Sequence, residues 1–252
     1  MPPPIKKKKN IYRPNQTKKK CVDPGSRGLF FTCENEKQAV KEARNLIDKY
    51  LSTAEPSDEN EAGDEYNEDV SETLNKLCKE ASSSKTNFPK LRPTGVKNCL
   101  FFEMSFLSTD ELYSIVDKIL VDCQTAAQCR FLQRIIPIEE TCSTDIKDVS
   151  LAISKVIQRH FNRTTASGGN SKPTYAVDFK ARNNDQISKT VVFDMVDTAL
   201  KTVSTTGAKV NLSLPELTLV VHVTNKTVML ACLRDFIQRR KFSLHVPKVS
   251  TD

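Results

Sequence analysis

Apolar and polar residues alternate from Thr174 to Asn184, which puts Tyr175, Val177, Phe179 and Ala181 on one face of a strand and Asp178, Lys180 and Arg182 on the other. The pattern predicts a half-buried strand, apolar inside and basic outside. From Gln186 to Val203 the period becomes helical, with Ile187, Val191, Met195, Val196, Ala199, Leu200 and Val203 on one face. Asp185 is the expected N-cap. Arg182, Asn183 and Asn184 then lie between a strand end and a helix start, where a cation, amide side chains and free backbone N–H groups suit a phosphate. The same residue types also make an ordinary solvated turn and cap.

Upstream, strands and helices alternate. Gly28 to Cys33 (GLFFTC) reads as a buried strand, followed by a helix from Glu36 to Leu51 with Val40, Ala43, Ile47, Tyr50 and Leu51 as its stripe. Val70 to Glu80 suits a short helix, and the polar stretch Ala81 to Lys97, broken by Pro89, Pro93 and Gly95, has room for an edge strand. Asn98 to Met104 (NCLFFEM) is a strand. Ser108 and Glu111 form a capping box for a helix carrying Leu112, Ile115, Val116, Ile119, Leu120 and Cys123. Arg130 to Ile136 is a further strand, stopped by Pro137. This order predicts a ferredoxin-like domain over about 26–137. Even spacing puts Arg130 and Arg134 on one strand face, either as a second basic strip or as plain edge charge.

A second core starts near Thr141, where Ser143 or Thr144 caps a helix running to about Phe161. Thr164 to Pro173 is a loop whose lone Gly168-Gly169 lacks the spacing of a phosphate cradle. The basic-faced strand and its helix follow, then a connection at Lys209 to Pro215. Leu217 to Val223 and Thr227 to Leu233 form a hairpin about Thr224-Asn225-Lys226. A small mixed sheet with one right-handed crossover is expected over 138–246, with a tail at 247–252. The fold class is α+β. Arg239, Arg240 and Lys241, beside Phe242, form a third basic cluster, which either binds phosphate and stacks on a base or is solvated.

Charge changes the picture more than length does. The chain has 252 residues, enough for two small cores, and a net charge of +7. Met1 to Lys20 holds eight Lys or Arg and no acid, whereas Ser52 to Glu72 holds nine Asp or Glu and no base. Residues 1–25 read as a disordered basic tail whose clusters Lys6–Lys9 and Lys18–Lys20 serve as a nuclear address, an RNA-clinging arm or a solubilising tail. The acidic run 52–72 reads as a solvated insertion, with mimicry of nucleic acid as the alternative. Without that run the remainder carries +16, a balance that favours a polyanionic partner. Eight cysteines without a CxxC pair read as reduced structural thiols, and Cys123 and Cys129 have no neighbouring ligands for zinc. No apolar run reaches membrane-spanning length, and the charged, Pro-rich start lacks a signal peptide's apolar core. No metal or cofactor motif appears, and His160, His222 and His245 are scattered.

Several stretches together resemble the THUMP-domain tRNA acetylation adaptor family. They are GLFFTC at 28–33, NCLFFEM at 98–104, RFLQRIIPIEETC at 130–142, FKARNND at 179–185, KVNLSLPELTLVVHV at 209–223 and RDFIQRRKFSL at 234–244. The resemblance covers most of residues 26–246. It implies a ferredoxin-like domain joined to a THUMP domain at 138–246, acting as an RNA clamp. It further implies a non-catalytic protein, without cofactor, that presents serine and leucine tRNAs to an RNA cytidine acetyltransferase for N4-acetylcytidine formation in the D-arm. A nuclear or nucleolar location, with cytoplasm in addition, and a free monomer are expected. Arg130, Arg134, Lys180, Arg182, Asn183, Asn184, Arg239, Arg240 and Lys241 are the RNA-binding candidates, expected to share one groove across both domains. The rival readings are another RNA-binding module, such as a ribosome-assembly factor, and a self-sufficient RNA-modifying enzyme.

Overall fold

β1 (Gly28–Cys33) is apolar at almost every position because it is a central strand with a packed layer on each face. In the computed structural model, which describes residues 21–52, 88–166, 173–203 and 208–246, it is followed by α1 (Glu36–Ser52), β2 (Lys90–Arg92), β3 (Cys99–Glu103), α2 (Thr109–Thr125) and β4 (Leu132–Ile138). The lysine clusters of the tail, the acidic run from 53, the helix expected at Val70 to Glu80, the Gly-Gly loop and 247–252 lie outside the described residues. The first sheet has the order β2-β3-β1-β4 with every pair antiparallel, and α1 and α2 pack against β3 and β4. That is the pairing of a split βαβ repeat. Gly28 is required by close approach: a Cβ there would lie 1.9 Å from the Phe102 carbonyl oxygen. The capping box forms as read, with the Glu111 N–H donating to Ser108 Oγ at 3.2 Å and the Ser108 N–H to Glu111 Oε2 at 2.7 Å.

Through Glu139 the chain passes into β5 (Glu140–Ser143), α3 (Ile146–Ala166), β6 (Thr174–Arg182), α4 (Lys189–Val203), β7 (Lys209–Val210), β8 (Leu217–Thr224) and β9 (Thr227–Arg234). The second sheet is mixed, with order β5-β9-β8-β6-β7 and β6 parallel to both its neighbours. β5 and β7 are too short to show a period; β5 exists because its backbone pairs with β9. Several boundaries differ from the periodic reading, α3 among them, which runs on to Ala166. Asp145 caps α3, accepting from the Lys147 N–H at 2.9 Å. α4 starts three residues late, with Ser188 Oγ accepting from the Val191 N–H, so Asp185 is not its cap. β4 begins at Leu132, leaving Arg130 outside it, and runs through Pro137 to Ile138 instead of stopping at the proline, which an edge strand tolerates.

Both faces of the second sheet are covered. Leu219, Val221, Leu230 and Cys232 pack with Val149, Ile153 and Val196 beneath α3 and α4. Val220, Met229, Ala231 and Leu233, on the opposite face, share a core with Phe30, Phe101 and Ile136 of the first sheet. This explains why β8 and β9 are buried almost throughout. The C-terminal segment closes one side: the Ile135 N–H donates to the Phe242 carbonyl and the Leu244 N–H to that of Gln133. Arg240, Lys241 and Phe242 all hold positive φ (54°, 54° and 57°), and buried Phe242 anchors this strained turn. No helix among the described residues is long and apolar enough to cross a membrane.

Candidate nucleic-acid interface

The strand register shows what faces the basic side of β6. Lys180 lies opposite His222 on β8, and Arg182 lies opposite Thr224. The His222 ring meets Phe30 of the first sheet edge-on, with centroids 5.4 Å apart. Two residues along β1 on the same face is Thr32, flanked in register by Cys99 on β3 and Arg134 on β4. Arg182 is close enough to Cys99 for its charge to act on that thiol, which burial pushes up and Arg182 pulls down. β6 therefore lies beside β3 at Cys99, and β8 beside β1 at Phe30. The face expected to point into open solvent is instead turned towards the other sheet, because the first domain covers it. Lys180 and Arg182 lie along this seam, Arg182 on the β3 side; Arg134 is on β4, on the other side of β1, where it pairs with Ser243.

Acid and base are arranged unevenly there. Lys180 Nζ lies 3.3 Å from Asp178 Oδ2, and His222 Nε2 lies 3.5 Å from the same oxygen. Burial alone raises the Asp178 carboxyl, but its bond with His222 and the Lys180 charge outweigh it and bring the pKa down to about 2. Burial holds the 1% exposed His222 below the ordinary histidine range, opposed by its bond with Asp178 and reinforced by Lys180 and Arg182. The consistent state is an ionised Asp178 accepting from the Nε2–H of a neutral His222. Below pH 6.5 the unfolded chain binds a proton that folded His222 refuses, so stability falls with falling pH. Asp178 adds a second loss only between about pH 4 and 2, as its folded carboxylate protonates. Urea titrations at pH 7.5, 5.5 and 3 should show both stages, and His222→Gln should flatten the first.

Among the described residues, five buried side-chain polar atoms lack a hydrogen-bond partner, two of them at the seam, Arg182 Nη1 and His222 Nδ1, and two on the β1–β4 pair, Thr32 Oγ1 and Arg134 Nε. With Nε2 protonated, His222 Nδ1 is a bare acceptor. The two guanidinium N–H groups are orphaned donors, each costing about 1–3 kcal/mol if nothing accepts from them.

The other candidates lie elsewhere or are engaged. Asn183 (φ 53°) donates through Nδ2 to the Gly95 carbonyl at 3.2 Å, tying the second sheet to the β2–β3 loop. Asn184 donates to the Asn225 carbonyl at 2.7 Å and accepts from the Gln186 and Ile187 N–H groups, bracing the loop before α4. Arg130 stacks over Phe131 while its N–H is held by Glu42 of α1; a register shift between Thr32 and Cys33 breaks the even spacing with Arg134. Arg239 is fixed by Asp117 Oδ1 at 2.6 Å and by the Phe242 ring, and Arg240 donates to the His245 carbonyl. Lys241 is exposed. Arg239 is held against α2, and Ser243, two residues past Lys241, pairs with Arg134 of β4. Thr32 and His222 were hidden from sequence reasoning, since each sits in an apolar strand; the one available signal was a polar residue interrupting an apolar run. Among the described residues no group of three or more His, Cys, Asp or Glu is placed to hold a metal ion.

Residues 143–233 match the THUMP domain. The chain is 25% identical over 267 residues to the THUMP domain-containing protein 1 homolog of Drosophila melanogaster, covering 94% of this chain and 78% of that protein. It is 25% identical over 238 residues to human THUMP domain-containing protein 1, covering 88% of this chain but 64% of the relative, just under two thirds of its length. The protein named tRNA acetyltransferase TAN1 in Saccharomyces cerevisiae is 24% identical over 211 residues, covering 75% of this chain and 71% of that one. The stretch from the end of β5 into β9 is therefore similar to a THUMP domain, within a chain similar over most of its length to proteins named THUMP domain-containing protein 1.

Proposed function

We propose that the chain is a tRNA-binding adaptor that presents serine and leucine tRNAs to an RNA cytidine acetyltransferase for N4-acetylcytidine formation in the D-arm. The observation that carries this reading is the basic face of β6, where Lys180 and Arg182, the latter with an unpartnered guanidinium N–H, are turned towards the first sheet. The name of the yeast relative supports tRNA acetylation as the setting. Contacts of this kind hold RNA by phosphate and shape and read bases weakly. The adaptor contributes by raising the effective concentration of the target cytidine at the enzyme, the acetyl transfer itself being the partner's. The lysine clusters Lys6–Lys9 and Lys18–Lys20 suit action in the nucleus or nucleolus.

The test incubates unmodified serine tRNA, acetyl-CoA and ATP with the acetyltransferase, with this chain, or with both, and measures N4-acetylcytidine by mass spectrometry of the digested tRNA. Product is expected only with both proteins. Product from the enzyme alone at the same rate removes the adaptor role, and product from this chain alone makes it an enzyme.

A further inference from the structure

We infer that the cleft between α2 and the C-terminal turn at 238–245 is the site of one unpaired nucleotide of the bound RNA, with its base against Leu120 and Cys123 and its phosphate on Arg240. The inference deepens the RNA-binding role proposed above and rests on it.

The cleft holds about 420 Å³, within the roughly 300–1,000 Å³ of small-ligand pockets. Leu120 and Cys123 of α2 form its apolar floor, and each wall carries an amide, Gln124 on α2 and Gln238 on the turn. Arg239 and Arg240 also line it, and no carboxylate does. An apolar floor suits the face of a base, the amides can pair with its edge, and a guanidinium matches its phosphate. Only an unstacked base has its face and edge free to enter, which selects a single-stranded position.

The conformation of the turn points the same way. Arg240, Lys241 and Phe242 hold left-handed φ in succession, a region that L-residues visit singly and at a cost. The three persist because buried Phe242 anchors them, the Lys241 N–H donates to the Phe236 carbonyl at 2.7 Å and the Phe242 N–H to that of Arg239 at 3.0 Å. Strained residues of this kind gather at ligand clamps, where the strain holds a side chain in place. The two arginines differ in what remains to them. Arg239 is compensated by Asp117 Oδ1 at 2.6 Å and stacks on the Phe242 ring, whereas Arg240 donates from Nη1 to the His245 carbonyl at 2.8 Å. A carbonyl orients the Arg240 guanidinium without cancelling its charge, and the fork has further N–H groups for a phosphate.

The test titrates the full chain with each of the four nucleoside 5′-monophosphates in a calorimeter at constant ionic strength. At least one should bind saturably, more tightly than inorganic phosphate or its own nucleoside, since it alone fills both parts of the cleft, and tRNA should displace it. Arg240→Gln should weaken this binding by about tenfold or more and Gln238→Ala by about threefold, as expected of a charge-assisted and a neutral hydrogen bond. Lys147→Gln, an exposed change on α3, should leave it unchanged. If a cleft variant fails to fold, the wild-type chain still decides. Absence of saturable binding by all four nucleotides overturns the site, as does phosphate binding as tightly as the best of them. Equal binding by folded Arg240→Gln and Lys147→Gln overturns it as well, and a nucleotide that tRNA cannot displace overturns the RNA assignment. If the nucleotides fail while tRNA still binds, the adaptor role stands without this cleft; loss of the adaptor role is read separately, from the acetylation assay.

Discussion

Arg182→Glu should weaken tRNA binding by about tenfold to a hundredfold, for many tRNAs alike. Arg182 lies at the end of β6, beside Cys99 and within electrostatic reach of His222, with Nη1 unpartnered. A charge-assisted bond from such a donor to a phosphate is worth roughly 1.5–3 kcal/mol, and the reversed charge adds repulsion. In the free protein the new carboxylate keeps Lys180, two residues back on the same face of β6, as a neighbour, so folding stability should be largely retained. Loss of binding without loss of stability separates a ligand contact from a structural one. Filter binding across a range of NaCl concentrations should show the slope of log affinity against log salt falling by about one for the missing phosphate contact. Arg182→Lys should lose less, because it keeps the charge and gives up only the forked geometry. Unchanged affinity in Arg182→Glu, with the protein folded, removes the seam from the RNA-binding surface.

How far the sequence reveals this depends on how local the cause is. The capping box at Ser108 and Glu111, the Leu217–Leu233 hairpin and the stripes of α1 and α2 are settled by neighbours within a few residues, and they form as their patterns imply. The alternation along β6 likewise separates Lys180 and Arg182 from Phe179. What alternation cannot show is which layer each face meets. A face bearing Asp178, Lys180 and Arg182 has the composition of a solvated surface, yet the first sheet partly covers it, as the contacts of Phe30 with His222 and of Cys99 with Arg182 reveal. The same limit applies to Asn183 and Asn184. Their identities suit a phosphate and a turn equally, and the turn takes them because Gly95 and Asn225 are brought close by chain pairing more than forty residues away. Arg130 and Arg134 were separated by a one-residue register shift, which flips every side chain beyond it.

Glu139→Ala should cost about 1–3 kcal/mol of stability, from the buried donors it leaves incompletely met. Glu139 is the residue between β4 and β5, where one sheet hands the chain to the other, and its carboxylate is 0% exposed. Arg159 Nη1 lies 2.5 Å from Oε2, and His160 Nε2 lies 3.0 Å from both oxygens. Oε1 also accepts from the Cys232 N–H at 3.0 Å and faces the Tyr113 hydroxyl at 3.2 Å. α2, α3 and β9 thus converge on one carboxylate, and burial together with the Glu139 charge pushes the Tyr113 hydroxyl far above its usual range. Truncation leaves Tyr113 and Cys232 to satisfy each other, which they do in part through the Cys232 carbonyl at 3.0 Å, and leaves half-exposed Arg159 free to turn to water. Removing the cation instead, by Arg159→Ala, strands a buried anion with only His160 to offset it. Glu139→Gln, which keeps the shape and loses the charge, should fall between wild type and Glu139→Ala. Urea unfolding of the three variants measures these costs, and a loss below about 1 kcal/mol for Glu139→Ala would show that apolar packing alone sets the junction. Because the carboxylate touches none of the seam residues, the tRNA affinity of any folded Glu139→Gln protein should stay near wild type; a tenfold loss would mean that the angle between the sheets, set here, governs how the seam receives its ligand.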